Sequence, residues 1–560
     1  MYMSSWPRHS FQPMSRRVFL ASSAAILVAA CSGQSSTDGT TAAVTTEPLG
    51  DPPTTTATVA PSPTTIAATT TTMLTPTAIA LPGDPFTLGV ASGDPDLTSV
   101  VLWTRLAPSP LEGGAMPDED VEVLWEISNQ PSFDSIAAAG FATAAANHGH
   151  SVHAIVDLDP GTWYYRFRVD AFTSAVGTTR AAPKTASTAT FATASCQNYE
   201  AAYFHAHRDI AERSPDFVVW LGDYIYEGAA QDVVGAPGNV RTHGTDEPRT
   251  LQGYRDRYAL YKLDENLQAS HACCPWFVIW DDHEVENNYA GLTPQDSTDQ
   301  ADFAKRRAQA YQAWWEHMPV RLDPPSSDPA EEYQIFRSAQ WGELIGLVLL
   351  DGRQYRSDQS CGDVALSFES ACEQVNDPAR TMLGSVQEAF VADTFGQQGT
   401  TWNVLAQQTV MTDLTVGPIV LNFDQWDGYP AARSRLTSMI AQQSVPNAVV
   451  LTGDIHLAGV AIVRDGVAGQ GTKIAVEFVA TSISSDGNVG PELAETLRDF
   501  PDIVDADLDH RGYILHTVTS DTWTADYFVV LDAKAEQSTV QKFATYQVAA
   551  GTIDAQIIAA

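Results

Sequence analysis

Basic residues are scarce in this 560-residue chain: 31 Lys and Arg stand against 68 Asp and Glu, for a formal net charge of −37. A surface of that sign repels phosphate backbones, which excludes a stable nucleic-acid partner unless bound cations reverse the field locally. Cysteines are few as well, six in all, too few for a small fold held by a disulfide framework. Long apolar runs are also missing near the start. The stretch Ala21–Ala30 is about half of the roughly twenty residues that a spanning helix needs. What remains, 44% hydrophobic and 9% aromatic content, is ordinary globular composition. It leaves room for about three units of roughly 100–200 residues each.

The first 31 residues read as an address. Arg16-Arg17 precedes Val18-Phe19-Leu20 and the short apolar run, the arrangement of a twin-arginine export signal. The run closes on Val28-Ala29-Ala30-Cys31. Two readings stand there: lipidation of Cys31 in a lipoprotein cleavage box, giving a membrane anchor, or ordinary cleavage beside the alanines. Residues 32–83 are rich in Thr, Ser, Ala and Pro, as in Thr69-Thr70-Thr71-Thr72, and cannot bury enough surface to offset ordering entropy. They are expected to form an exposed tether.

Residues 84–185 carry short alternating segments, Val100–Trp103, Val121–Ile127, Val152–Val156 and Trp163–Val169, separated by turns such as Asp159-Pro160-Gly161. That pattern predicts a small all-β sandwich of immunoglobulin or fibronectin type. His148, His150 and His153 lie in it without acidic or thiol residues in register, and read as a solvated strand edge.

From residue 186 to 560 the texture changes to α/β. Apolar runs of a few residues each stop at ionisable groups: Thr190–Ala194 before Ser195-Cys196-Gln197, Phe217–Leu221 before Gly222-Asp223, Trp276–Trp280 before Asp281-Asp282-His283-Glu284, Leu344–Leu350 before Asp351-Gly352-Arg353, and Ala448–Leu451 before Gly453-Asp454-Ile455-His456. Runs of this kind fit strands buried on both faces, with a helix expected over Gln300–Glu316. An Asp after one strand is an everyday turn former. Several strand ends that bring carboxylates, a thiol, a phenol and imidazoles to one sheet edge would repel unless cations lay between them.

Gly222-Asp223-x-x-Tyr226, Asp282-His283-Glu284 and Asp454-x-His456, in that order, resemble the blocks of calcineurin-like metallophosphoesterases, whose β-sandwich is flanked by helices. Phe86–Pro95, Val101–Arg105, Ser195–Gln197, Trp280–Asn288, Asp351–Arg356 and Gly453–His456 narrow the resemblance to the PhoD-type alkaline phosphatase family. The resemblance implies Fe³⁺ with one or two Ca²⁺ ions. It makes Cys196, Asp223, Tyr226 (as a phenolate, as in purple acid phosphatases) and His456 iron-side ligands, with Asp223 reaching both metals. Asp282, Asn287 and Asp454 fall to the calcium side. Related phosphoesterases have Asn where this chain has Asp282, and the extra charge favours a hard ion.

The expected chemistry is hydrolysis of small phosphate esters by water whose pKa the cations lower. His283 would protonate the leaving group or bind phosphate, and Arg353 would hold phosphate oxygens unless it forms a surface salt bridge. Asn288 and His510 are candidate substrate contacts, His510 equally a structural residue. Cys361 and Cys372 are expected to form a disulfide in an oxidising compartment. The adjacent pair Cys273-Cys274 has no reading from the sequence. The leading expectation is an exported monomeric phosphomonoesterase with phosphodiesterase activity, anchored or secreted. A diesterase of phospholipase D type acting on phospholipid, teichoic acid or nucleic-acid ends, and a non-catalytic surface cation-binding protein, are the alternatives. The covering loops are placed at 228–260 and 415–430.

Overall fold

The computed structural model describes residues 74–230, 238–296, 298–362, 370–397, 399–487 and 497–559. The expected export signal, Cys31 and nearly all of the expected tether, residues 32–83, lie outside them.

Two sheets face each other across the main core. The first has ten strands. At its centre Thr188–Ala194, Phe217–Trp220 and Pro275–Val278 run parallel, so the segments that follow them leave by one edge. The second has seven strands, four of them parallel neighbours: Ile345–Leu349, Trp402–Ala406, Ala448–Thr452 and Lys473–Val479.

Alternation within the apolar runs explains why they are continuous. Leu347, Leu349, Val404, Ala406, Val449 and Leu451 enter the core shared with the first sheet. Their neighbours Val348, Leu405 and Val450 pack on the other face against Val391, Leu436 and Ile440. Those last three lie on the helices Gly384–Gln397 and Pro430–Gln443. Residues on both faces of each strand are therefore dry, and no polar alternation is tolerated. A helix spans Gln300–His317, capped by the Asp299 carboxylate on the Ala301 N–H, where the sequence predicts one.

The N-terminal β region is a sandwich whose second layer belongs to the main sheet. Val121–Ser128 and Gly161–Val169 lie in a separate five-stranded sheet. Val123, Tyr165 and Phe167 of that sheet pack on Val100, Leu102, Val152 and Val156. Those four stand on Ser99–Arg105 and Ser151–Asp157, at the end of the ten-stranded sheet. The link is Val90–Gly93, which pairs in parallel with Pro275–Val278.

The three histidines of this region are not a solvated edge. His153 bonds the Met318 carbonyl at 2.9 Å and stacks on Trp315 at 4.2 Å, His148 meets the same ring edge-on, and His150 is buried on the Glu119 carbonyl. The Gln300–His317 helix covers His148 and His153 through Trp315, which strand alternation alone could not foretell.

Candidate active site

The parallel strand ends deliver their polar residues to one place through sharp turns. Cys196, Asp223, Asp454 and His456 all sit in left-handed backbone, with φ between +55° and +62°. Such a conformation costs a residue with a Cβ about 1–2 kcal/mol. Four cases where the strand ends of the two sheets meet, and not at one sheet edge as the sequence suggested, mark a site whose surroundings enforce the geometry. Gly222, at φ +109°, lets the Asp223 turn lie against Asp281: a Cβ there would be 2.5 Å from the Asp281 Cβ.

Two buried groups hold these turns. The Glu284 carboxylate accepts from the Asp223, Tyr224 and Asp281 N–H groups at 3.1, 2.5 and 2.8 Å, tying two strand ends together. Gln197 donates its backbone N–H to the Asp223 carbonyl and its side-chain amide to the Tyr224 carbonyl.

Ligand atoms within 4.8 Å of one another form three groups: Cys196–Asp223–His456, Asp223–Asp282–His283 and Asp281–Asp282–Asp454. Asp223 joins the first to the second, and Asp282 the second to the third. The Tyr226 hydroxyl donates to Asp223 at 3.0 Å and lies 3.0 Å from His456 Nε2, which places the phenol in the first group. Asp223 Oδ1, Asp281 Oδ2 and Asp282 Oδ1 are buried and have no hydrogen-bond partner. A native protein seldom leaves such atoms unsatisfied. The donor set therefore fits cations: sulfur, nitrogen and phenol oxygen at one end suit a transition ion, and carboxylates alone at the other suit a hard one.

The electrostatics agree. Burial pushes the carboxyls of Asp223 and Asp281 well above the usual range and that of Asp454 up to about 6. Burial and then the Asp223 charge raise the Cys196 thiol. Asp282 is held low because Arg353 and His283 outweigh its desolvation. This much negative charge is unstable without positive partners.

His283 is set by Glu227, whose carboxylate lies 2.6 Å from Nδ1 and also accepts the Asn287 N–H at 2.8 Å. Desolvation works against the imidazolium, but Glu227, Asp282 and Asp223 together raise its pKa well above the ordinary value. Cys196, Asp223, Asp281 and Asp282 are buried, while His283, Asp454 and His456 are half-buried and mark the open side.

One expectation needs correction. Arg353 is fully buried and presents no donor to a substrate: it pairs with Asp281, with both oxygens of Asp424 at 3.0 and 2.8 Å, with Asp454 at 3.0 Å, and lies 3.5 Å from Asp282. It balances charge. The Asn287 amide donates to Gln295, and Asn288 contributes its backbone N–H to Asp282 at 2.6 Å. His510 faces Asp507 at 3.0 Å and packs on Phe543.

Asp281, Glu227, Glu284, Asp424 and Gln425 complete the site, although sequence reasoning assigned none of them a role. Asp424 also accepts from Arg356 and Gln359, and the Gln425 amide donates to Asp454. Cys361 and Cys372 form a disulfide.

Residues 191–527 match the PhoD-like phosphatase family, and residues 72–183 match the PhoD-like phosphatase N-terminal domain. The chain is 43% identical over 458 residues to alkaline phosphatase D of Bacillus subtilis (strain 168), covering 80% of this chain and 78% of that one. A solved structure of PhoD superposes with a TM-score of 0.82 at 40% identity, over 86% of this chain and 94% of that chain.

Proposed function

This chain belongs to the PhoD-like phosphatase family and is an alkaline phosphatase; from that premise we propose that it is an exported, cation-dependent phosphomonoesterase that also cleaves diesters. The observation that carries the reading is the run of three donor groups sharing Asp223 and Asp282, with three buried carboxylate oxygens that no protein donor satisfies.

Cys196, Asp223, Tyr226 and His456 would hold an iron ion, and Asp281, Asp282 and Asp454 one or two calcium ions. Bound there, the cations supply charge neutralisation for a phosphate and lower the pKa of water.

The protein's own residues do the rest. Glu227 fixes the ring of His283 through Nδ1, which directs Nε2 as the second donor of the imidazolium. A proton kept on Nε2 can pass to the departing alcohol oxygen. Tyr226 packs its ring 4.1 Å from that of His283 and limits the ring's motion. Arg353 keeps four aspartates from repelling one another and leaves Asp281 Oδ2 and Asp282 Oδ1 without a hydrogen bond. The twin-arginine signal and Cys31 support export with a lipid anchor or release.

The test is hydrolysis of nitrophenyl phosphate and bis-nitrophenyl phosphate by iron- and calcium-replete protein beside Asp223→Ala. Turnover that requires calcium and falls at least about 10³-fold in the variant is expected. An unchanged rate in folded Asp223→Ala, or full activity after chelation, would overturn the cation reading. The monoester-to-diester ratio measures the second activity.

A further inference from the structure

Cys273 ends the helix Glu265–Cys273, and Cys274 turns directly into the strand Pro275–Val278. Neither is in a disulfide. Their sulfurs lie 3.5 Å apart. Cys273 is half-buried and donates weakly to the Ser270 carbonyl at 3.1 Å, while Cys274 is buried beneath it. The phosphatase site uses neither residue.

The spacing discriminates between the ways two thiols can be joined. A direct bond needs sulfurs about 2.05 Å apart, and disulfide Cα atoms usually stand about 4.4–6.8 Å apart. Adjacent residues hold theirs at about 3.8 Å, below that range, so a direct bond would have to close the 3.5 Å sulfur gap at a Cα spacing that disulfides seldom use. A single atom bound about 2.3 Å from each sulfur matches the 3.5 Å separation, with an angle of about 100° between its bonds.

Two donors are not enough for a tetrahedral ion. Among the described residues, groups of three or more His, Cys, Asp or Glu donors occur only at the active site. The atom that fits must therefore bring its own third substituent and prefer a pyramidal angle near that value. Trivalent arsenic bearing one carbon group does both, and it is soft enough to prefer sulfur.

We propose that Cys273 and Cys274 form a dithiol site that captures organic trivalent arsenoxides. Half-exposed Cys273 adds first, and Cys274 closes the ring. Two S–H bonds and the arsenic–oxygen double bond break, and two As–S bonds form. The two protons leave with the oxygen as one water. Arsenic stays trivalent, so no oxidant or reductant is required. Cys196, with no second free thiol adjacent to it in sequence, serves as an internal control.

Phenylarsine oxide and intact-mass spectrometry on the folded, full chain test this. The expected result is one adduct per chain, heavier by the reagent less one water. It should survive 2-mercaptoethanol and be removed by 2,3-dimercaptopropanol. Cys273→Ser and Cys274→Ser should each drop the resistant adduct from one per chain to none. Peptide mapping of the wild-type protein, independent of the variants' folding, should place the arsenic on the peptide holding both cysteines. A resistant adduct persisting in either variant, or mapping elsewhere, overturns the proposal. So does its absence, whether the two thiols titrate free in the denatured chain or are found oxidised to each other.

Discussion

Replacing Gly222 with alanine should damage the site out of proportion to the one methyl added. The new Cβ would sit 2.5 Å from the Asp281 Cβ and 2.7 Å from the Asp281 N, whereas ordinary contact begins at 3.4 Å. Neither neighbour is the tip of a flexible side chain, so the two strand ends must part by about 0.9 Å. Asp223 and Asp281 lie on opposite sides of that gap, and each contributes to a donor group. A displacement near 1 Å typically costs about 10²-fold in rate. The left-handed backbone adds about 1–2 kcal/mol of strain, and the overpacking about 1–3 kcal/mol more. Gly113 separates these causes: at φ +76° it shares the backbone region, but a Cβ there meets nothing within 4 Å. Gly113→Ala should therefore lose about 1–2 kcal/mol of urea stability and keep its nitrophenyl phosphate turnover. Gly222→Ala should lose more stability and about two orders of magnitude in turnover. If the two variants hydrolyse the ester at similar rates, the contact with Asp281 does not set the site.

Two further outcomes concern stability away from the candidate site. Opening the Cys361–Cys372 bridge, whose partners are 11 residues apart, should cost about 3 kcal/mol of chain-entropy stabilisation; urea midpoints of the double serine variant, with and without reductant, check it. Burial and then Asp413 push the Asp427 carboxyl up to about 7. The folded state thus prefers its neutral form, and its contribution to stability is greatest near pH 4, is lost as pH rises to about 7, and is flat above. Asp427→Asn keeps an acceptor for the Leu414 N–H and should be more stable than wild type above pH 7 by up to about 4 kcal/mol, with no advantage at pH 4. Urea melts at pH 4, 6 and 8 would expose the opposite slope.

Much of the site was legible because parallel strands deliver the residues after them to one edge of each sheet, although Cys196, Asp223 and Asp282 follow the first sheet and Asp454 and His456 the second, whose meeting the sequence does not announce. Each apolar run announced a buried strand, and the residue at its end had to emerge beside its neighbours. That logic reached Cys196, Asp223, Asp282, Asp454 and His456. It could not separate Asp281 from Asp282, since adjacent residues at a turn have no alternation to assign them. Asp424 and Gln425 come from a loop with no strand signal, and Asp424 meets Arg353 across 71 residues. Arg353 itself misled because a guanidinium beside a phosphate site reads as a clamp. Only the positions of four aspartates showed that its donors were taken. Glu284 looked like one more acid in an acidic block, and its three backbone partners are visible only in three dimensions. The pairing of Val90–Gly93 was equally hidden, because a four-residue run does not name its neighbour.

The ten-stranded sheet also sets a schedule for the chain as it is made. Thr193 pairs with Ile514, about 320 residues downstream. At the usual rate of about 5–20 residues per second, the earlier strand waits roughly 16–60 seconds for its neighbour. Throughout that interval an unpaired, largely apolar strand edge is a template for any other strand it meets. A sheet built from such distant pieces folds slowly and only once nearly all of it has emerged. Early synthesis is therefore the moment of greatest exposure to aggregation and proteolysis, and a chaperone that shields the edge until the late strands arrive would raise yield without touching the finished enzyme.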